Sequence, residues 1–166
     1  MDILRALKRE IVAETGHQWE CRNVITDFEA GLVQAVREVL PQARSSGCYF
    51  HFCSSLYRKV QELGLAAPYQ VNFRLKACVR KFMALGFLPL LTVRQQYATL
   101  STGRRAMALV AQYPALGQFI EYFDETYING NMFPPSFWNT WARPMSSRSN
   151  NSVESKLSIM QYTARV

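Results

Sequence analysis

Nowhere in this 166-residue chain does an apolar run approach the ~20 residues that a bilayer-spanning helix needs. A transmembrane segment is therefore not expected. The opening stretch MDILRALKREIVAE is charged throughout, which argues against a secretory leader. Cysteine is sparse: Cys21, Cys48, Cys53 and Cys78 do not make the dense framework of a small secreted domain, and they are expected to be reduced in a soluble intracellular chain. Internal repeats and low-complexity tracts are also missing, so neither a repeat array nor a disordered tract is expected. What is present is a globular composition, with 49% hydrophobic, 13% aromatic and 19% charged residues. The length suits one domain with a sizeable core. The formal net charge of +7 favours a polyanionic partner such as nucleic acid, although a basic domain without such a partner has the same charge.

Along the chain, Ile3, Leu4, Leu7, Ile11 and Val12 recur at helical spacing. NVITDF is a short β-branched strand candidate. Phe28, Leu32, Val36 and Leu40 then repeat every fourth residue in a helix closed by Pro41. QARSSG is expected as a loop and CYFHF as a second strand, apolar enough to be covered on both faces. Phe52, Leu56, Val60 and Leu63 mark a helix that stops at Gly64. This alternation predicts an α/β unit over residues 1–64 with neighbouring parallel strands. Residues 69–130 contain helical periods only, including Phe119, Ile120, Phe123, Tyr127 and Ile128. A Pro/Asn/Ser-rich connection follows, and a last helix starts near Asn151, with Val153, Leu157 and Met160 on its apolar side.

Three places could carry chemistry. Asp27 stands at the end of the first strand, where ligand-binding groups collect in open parallel sheets. It also suits the start of the next helix as a capping residue, and the two roles are compatible. Cys48 and His51, with Cys53 close behind, resemble half a zinc site, but no second ligand pair lies at a regular distance. Their bland reading is a small buried thiol and a hydrogen-bonded core histidine. In RSNNSVES, Glu154 falls in a helix first turn, where the dipole favours negative charge, and it borders the apolar side of that helix.

Basic residues cluster as Arg58/Lys59, Arg74/Lys76/Arg80/Lys81 and Arg104/Arg105. Arg143 and Arg148, with Asn150 and Asn151, flank the stretch before Glu154. The aromatics of FPPSFWNTW could stack on bases or anchor a core.

Taken in order, VITDFEAGLVQAV, LPQARSSGCYFH and RPMSSRSNNSVES resemble the motifs of Mutator-like element (MULE) transposases, with the helical stretch KACVRKFMALGFLPLLTVRQQYATL between the second and third. The resemblance covers almost the whole chain. It implies an RNase H-like fold whose two aspartates and one glutamate hold two divalent cations, Mg²⁺ or Mn²⁺, for DNA strand cleavage and transfer. On this chain it makes Asp27 the second aspartate and Glu154 the glutamate, both metal ligands. Cys48 and His51 match the Cys-x-x-His motif, with His51 in the catalytic group, and Arg143, Arg148, Asn150 and Asn151 are its candidate nucleic-acid contacts.

The family's first aspartate lies on an earlier strand, and nothing before residue 24 matches it. Asp2, on an amphipathic helix, is not given that role, and the family's N-terminal DNA-binding domain has no counterpart here. The expected architecture is thus α/β but predominantly helical. It comprises a truncated RNase H-like core of about two strands (1–64), a helical insertion with its connecting loop (65–147), and a C-terminal helix carrying the glutamate (148–166). The resemblance implies DNA as partner, nuclear residence, no membrane and no small-molecule substrate, and leaves a homo-oligomer open. Weak or no catalysis is expected from this chain alone.

Overall fold

Parallel strands cannot be joined by a tight turn, so two that lie close in sequence need a crossover segment, usually a helix. The computed structural model, which describes residues 2–17 and 19–143, has that arrangement in its first part. Helix α1 (Asp2–Thr15) is followed by strand β1 (Asn23–Thr26), helix α2 (Ala30–Val39) and strand β2 (Arg44–Gly47). The strands run parallel, with Asn23 opposite Arg44 and Thr26 opposite Gly47. The chain divides after Cys48 into two compact units, and these four elements form the first.

The core of the first unit is small. α2 buries Val33, Ala35, Val36 and Val39, and Leu40 is buried just past its end. The expected stripe is thus partly displaced: Phe28 precedes the helix, Leu32 is half-buried, and only Val36 and Leu40 of that set are buried. Along α1, Leu4, Ile11 and Val12 are half-buried while Ile3 and Leu7 are exposed, so its apolar side is only partly used.

One strand assignment is corrected. CYFHF is not a strand: Tyr49–Glu62 form helix α3, and the second strand is the polar RSSG that the sequence suggests as loop. Tyr49, Phe52, Leu56 and Val60 are all buried along α3. Those positions follow the helical period, which therefore begins at Tyr49, three residues before the first position of the expected stripe. Short apolar runs do not distinguish strand from helix.

The second unit is helical among its described residues. After α3 come α4 (Ala66–Val71), α5 (Phe73–Ala84), α6 (Val93–Thr102), α7 (Arg104–Gln112), α8 (Ala115–Phe123) and the short α9 (Pro135–Trp138). Over the described residues the fold is predominantly helical, with two parallel strands in one sheet. Gly64 ends α3 as expected, at a φ of 69° that a residue with a Cβ adopts only with strain. Beyond it, the Leu65 N–H reaches back to the Val60 carbonyl at 2.9 Å.

An aromatic cluster holds the second unit together. Phe52 of α3 stacks on Trp138 of α9, with ring centroids 4.8 Å apart and planes 4° from parallel. Tyr127 meets Phe52 edge-on at 5.1 Å, and Phe82 of α5 meets Phe119 of α8 edge-on at 5.5 Å. The Trp138 indole N–H donates to the Tyr127 carbonyl at 3.0 Å, so the ring buries its apolar body with its polar atom satisfied. Phe137 and Trp138, two aromatics of FPPSFWNTW, are therefore core anchors, while Trp141 remains 58% exposed.

Phe52→Ala should cost about 3–5 kcal/mol, the range for a large buried aromatic. Phe50→Ala, on the exposed side of the same helix, should cost less than about 0.5 kcal/mol. Urea unfolding of the two variants checks this, and equal costs would contradict the packing. A pH dependence follows from the same core. Burial, with Cys53 nearby, holds the Tyr49 hydroxyl far above the ordinary tyrosine range. Burial, with Tyr122 nearby, does the same for Tyr127. Unfolded tyrosines ionise near about pH 10, so this contribution is intact below that pH and is lost as pH rises above it. Unfolding free energy should fall above about pH 10, and less steeply in Tyr127→Phe.

Candidate functional site

The last rung of the parallel ladder defines the candidate site. The Cys48 N–H donates to the Thr26 carbonyl at 2.7 Å. Asp27 and Cys48 are the residues that follow the paired Thr26 and Gly47, so they lie side by side where the two strands end. Parallel-sheet proteins present ligand-binding groups at this end.

Asp27 is half-buried, and its Oδ1 accepts the Glu29 N–H at 3.1 Å. The helix that follows starts at Ala30 with Glu29 at its N-cap position, where no side chain caps it. Asp27 therefore does not cap α2 directly. It closes an Asx-type turn one step earlier and fixes the chain's departure from β1. Its Oδ2 has no hydrogen-bond partner among the described residues. Beside it, the Thr26 hydroxyl is buried without a partner, as is that of Ser45 on β2.

Cys48 is half-buried, and the four cysteines are unbridged. His51 lies in the first turn of α3, exposed, with its ring edge-on to Phe50 at a centroid distance of 5.5 Å. It is neither a strand residue nor a core histidine. The Cys-x-x-His motif thus runs across the boundary between the units, Cys48 closing the first and His51 opening the second. Arg143 is half-buried and donates from Nη2 to the Phe137 carbonyl at 2.8 Å. Glu154, Arg148, Asn150 and Asn151 lie outside the described residues.

A divalent-cation pair needs a bridging carboxylate plus flanking ones. Among the described residues no group of three or more His, Cys, Asp or Glu side chains could hold a metal ion. Asp27 is the one candidate metal carboxylate within them. The described residues therefore do not by themselves fit a two-metal centre, and they make no zinc site either.

Two features were not foreseen from the sequence. In the second unit, Ser55 Oγ and Tyr127 Oη lie 2.8 Å apart and Tyr122 Oη is 3.3 Å from Tyr127 Oη, where the chain makes a π-helical turn over Asp124–Ile128. Lys59 sits over the Tyr122 ring at 4.9 Å and pairs with Glu62 at 3.4 Å. The network ties α3 to the turn that follows α8. In the first unit, an open groove of 430 Å³ is lined by Arg5, Lys8, Arg9, Val12, Glu38 and Val39. It excludes Asp27 and Cys48.

No protein-family model, curated protein or solved structure matches this chain.

The role of Asp27 in the turn is separable from its charge. Asp27→Asn keeps an oxygen for the Glu29 N–H and should unfold within about 0.5 kcal/mol of the parent, whereas Asp27→Ala should lose about 1 kcal/mol. Urea titration of both variants decides it; equal losses would mean that the turn hydrogen bond carries no stability.

Proposed function

We propose that this chain is a fragment or derivative of a MULE-type DNA transposase, built on part of an RNase H-like core and inactive alone. The observation that carries the reading is the pairing that brings Asp27 and Cys48 together at the ends of two parallel strands. Both residues belong to motifs whose order and spacing along the chain resemble that family. Asp27 is then the acidic residue leaving the sheet, and Glu154 is the second carboxylate expected from sequence. When bound, Mg²⁺ or Mn²⁺ would supply the activation of water or a 3′ hydroxyl in the intact family. Here Asp27 supplies one carboxylate and positions it through the Asx turn. Groups that act as a unit fail together, so an incomplete acidic set leaves little activity. DNA as partner and nuclear residence follow from the same reading.

A second reading, a non-catalytic derivative that binds DNA, is favoured by the charge of the helical unit. Every charged residue between Glu62 and Glu121 is an arginine or a lysine.

Supercoiled plasmid incubated with this chain and Mn²⁺ should stay intact above background. Asp27→Ala and Glu154→Ala should behave like the parent. Mn²⁺-dependent nicking that both substitutions abolish would contradict an inactive chain and reveal a complete acidic site.

A further inference from the structure

The acid-free tract between Glu62 and Glu121 builds α4 to α7 and most of α8. On α5, Leu75, Val79 and Phe82 face the core, while Arg74 and Lys81 lie two helical turns apart on one exposed side. Asn72 Nδ2, at the start of α5, donates to the Tyr113 hydroxyl just past the end of α7 at 3.0 Å. The two helices are in contact, with the end of α7 against the start of α5. Arg104 and Arg105 open α7 and are exposed.

These four side chains have no ion pair with a described carboxylate. Lys81, in the last turn of α5, suits the helix dipole, whereas the position of the arginines at helix starts does not. α5, α6 and α7 all begin without an acid in the first turn and with Arg74, Arg94 or Arg104 there instead. A helix dipole disfavours positive charge at that end. Arg94 donates to the Asn129 side-chain oxygen at 2.8 Å, but Arg74 and Arg104 at two of these starts raise the positive potential of the layer, and a polyanion lying over it relieves that repulsion.

We infer that the exposed surface of α5 and α7, with Arg74, Lys81, Arg104 and Arg105, holds the phosphate backbone of double-stranded DNA without reading its sequence. The inference deepens the proposed function and rests on it for the choice of DNA as the polyanion. An anionic membrane is the poorer fit. The exposed large apolar groups on α5 and α7 are two single residues, Phe73 and Met107, whereas lipid insertion takes a continuous apolar face. Backbone binding of this kind releases counterions, so affinity falls steeply with salt.

The test is fluorescence anisotropy of a labelled mixed-sequence duplex, titrated with the full chain over a series of salt concentrations without divalent metal. Arg74→Ala/Lys81→Ala and Arg104→Ala/Arg105→Ala are compared with Arg5→Ala/Lys8→Ala on the first unit, with circular dichroism confirming that each variant is folded. Each surface pair should weaken binding at least about tenfold and lower the slope of log affinity against log salt by about 2, one per lost phosphate contact. The first-unit pair should bind like the parent. Surface variants that bind as tightly as the parent would overturn the inference, as would an equal loss in the first-unit pair. So would equal affinity for phosphatidylserine vesicles. Plasmid nicking has a separate readout, so failure of the surface and failure of the inactive-transposase reading are distinguishable.

Discussion

The candidate site depends on one hydrogen bond, from the Cys48 N–H to the Thr26 carbonyl. It is the last rung of a ladder only four residues long. Without it, Asp27 and Cys48 would be two residues of separate loops. With it, they are neighbours at the end where a parallel sheet exposes its functional groups. The crossover through α2 makes the rung affordable, because burial of Val33, Val36, Val39 and Leu40 stabilises a pairing that two isolated strands could not sustain. The Asx turn at Asp27 then sets the path from strand to helix.

The second unit rests on different physics. Its aromatic cluster fixes α3, α5, α8 and α9 through ring packing and a few satisfied polar atoms, such as the Trp138 N–H and the Tyr49 hydroxyl on the Met83 carbonyl. That leaves its surface free to concentrate positive charge. Charge of one sign adds nothing to the fold and repels itself, so a dense apolar interior is what allows the acid-free tract between Glu62 and Glu121 to persist.

Some of this was legible in the sequence and some was not. β1 was legible because Val24, Ile25 and Thr26 are β-branched and bounded by polar residues. The stop at Gly64 was legible because only glycine accepts that φ without strain. The helical character of residues 69–130 followed from periodicity. β2 was not legible: Arg44, Ser45, Ser46 and Gly47 have no strand propensity of note, and their conformation comes from pairing with β1. CYFHF misled for the converse reason, since its apolar residues also open the buried stripe of α3. At the site, Asp27 was found where its position after β1 suggested, and Cys48 lies beside it. His51 belongs to the same run and so opens α3 rather than extending a strand. Glu154, Arg148, Asn150 and Asn151 lie outside the described residues.

The most direct test of the strand-end arrangement is amide hydrogen exchange across residues 44–48, read residue by residue by NMR. Parallel pairing points alternate N–H groups toward the partner strand. Arg44 and Cys48 donate to Arg22 and Thr26, and Ser46 lies between them in the same phase. The account predicts slow exchange at Arg44, Ser46 and Cys48 and fast exchange at Ser45. Uniformly fast exchange, or the inverted pattern of a register slipped by one residue, would contradict it and separate Asp27 from Cys48.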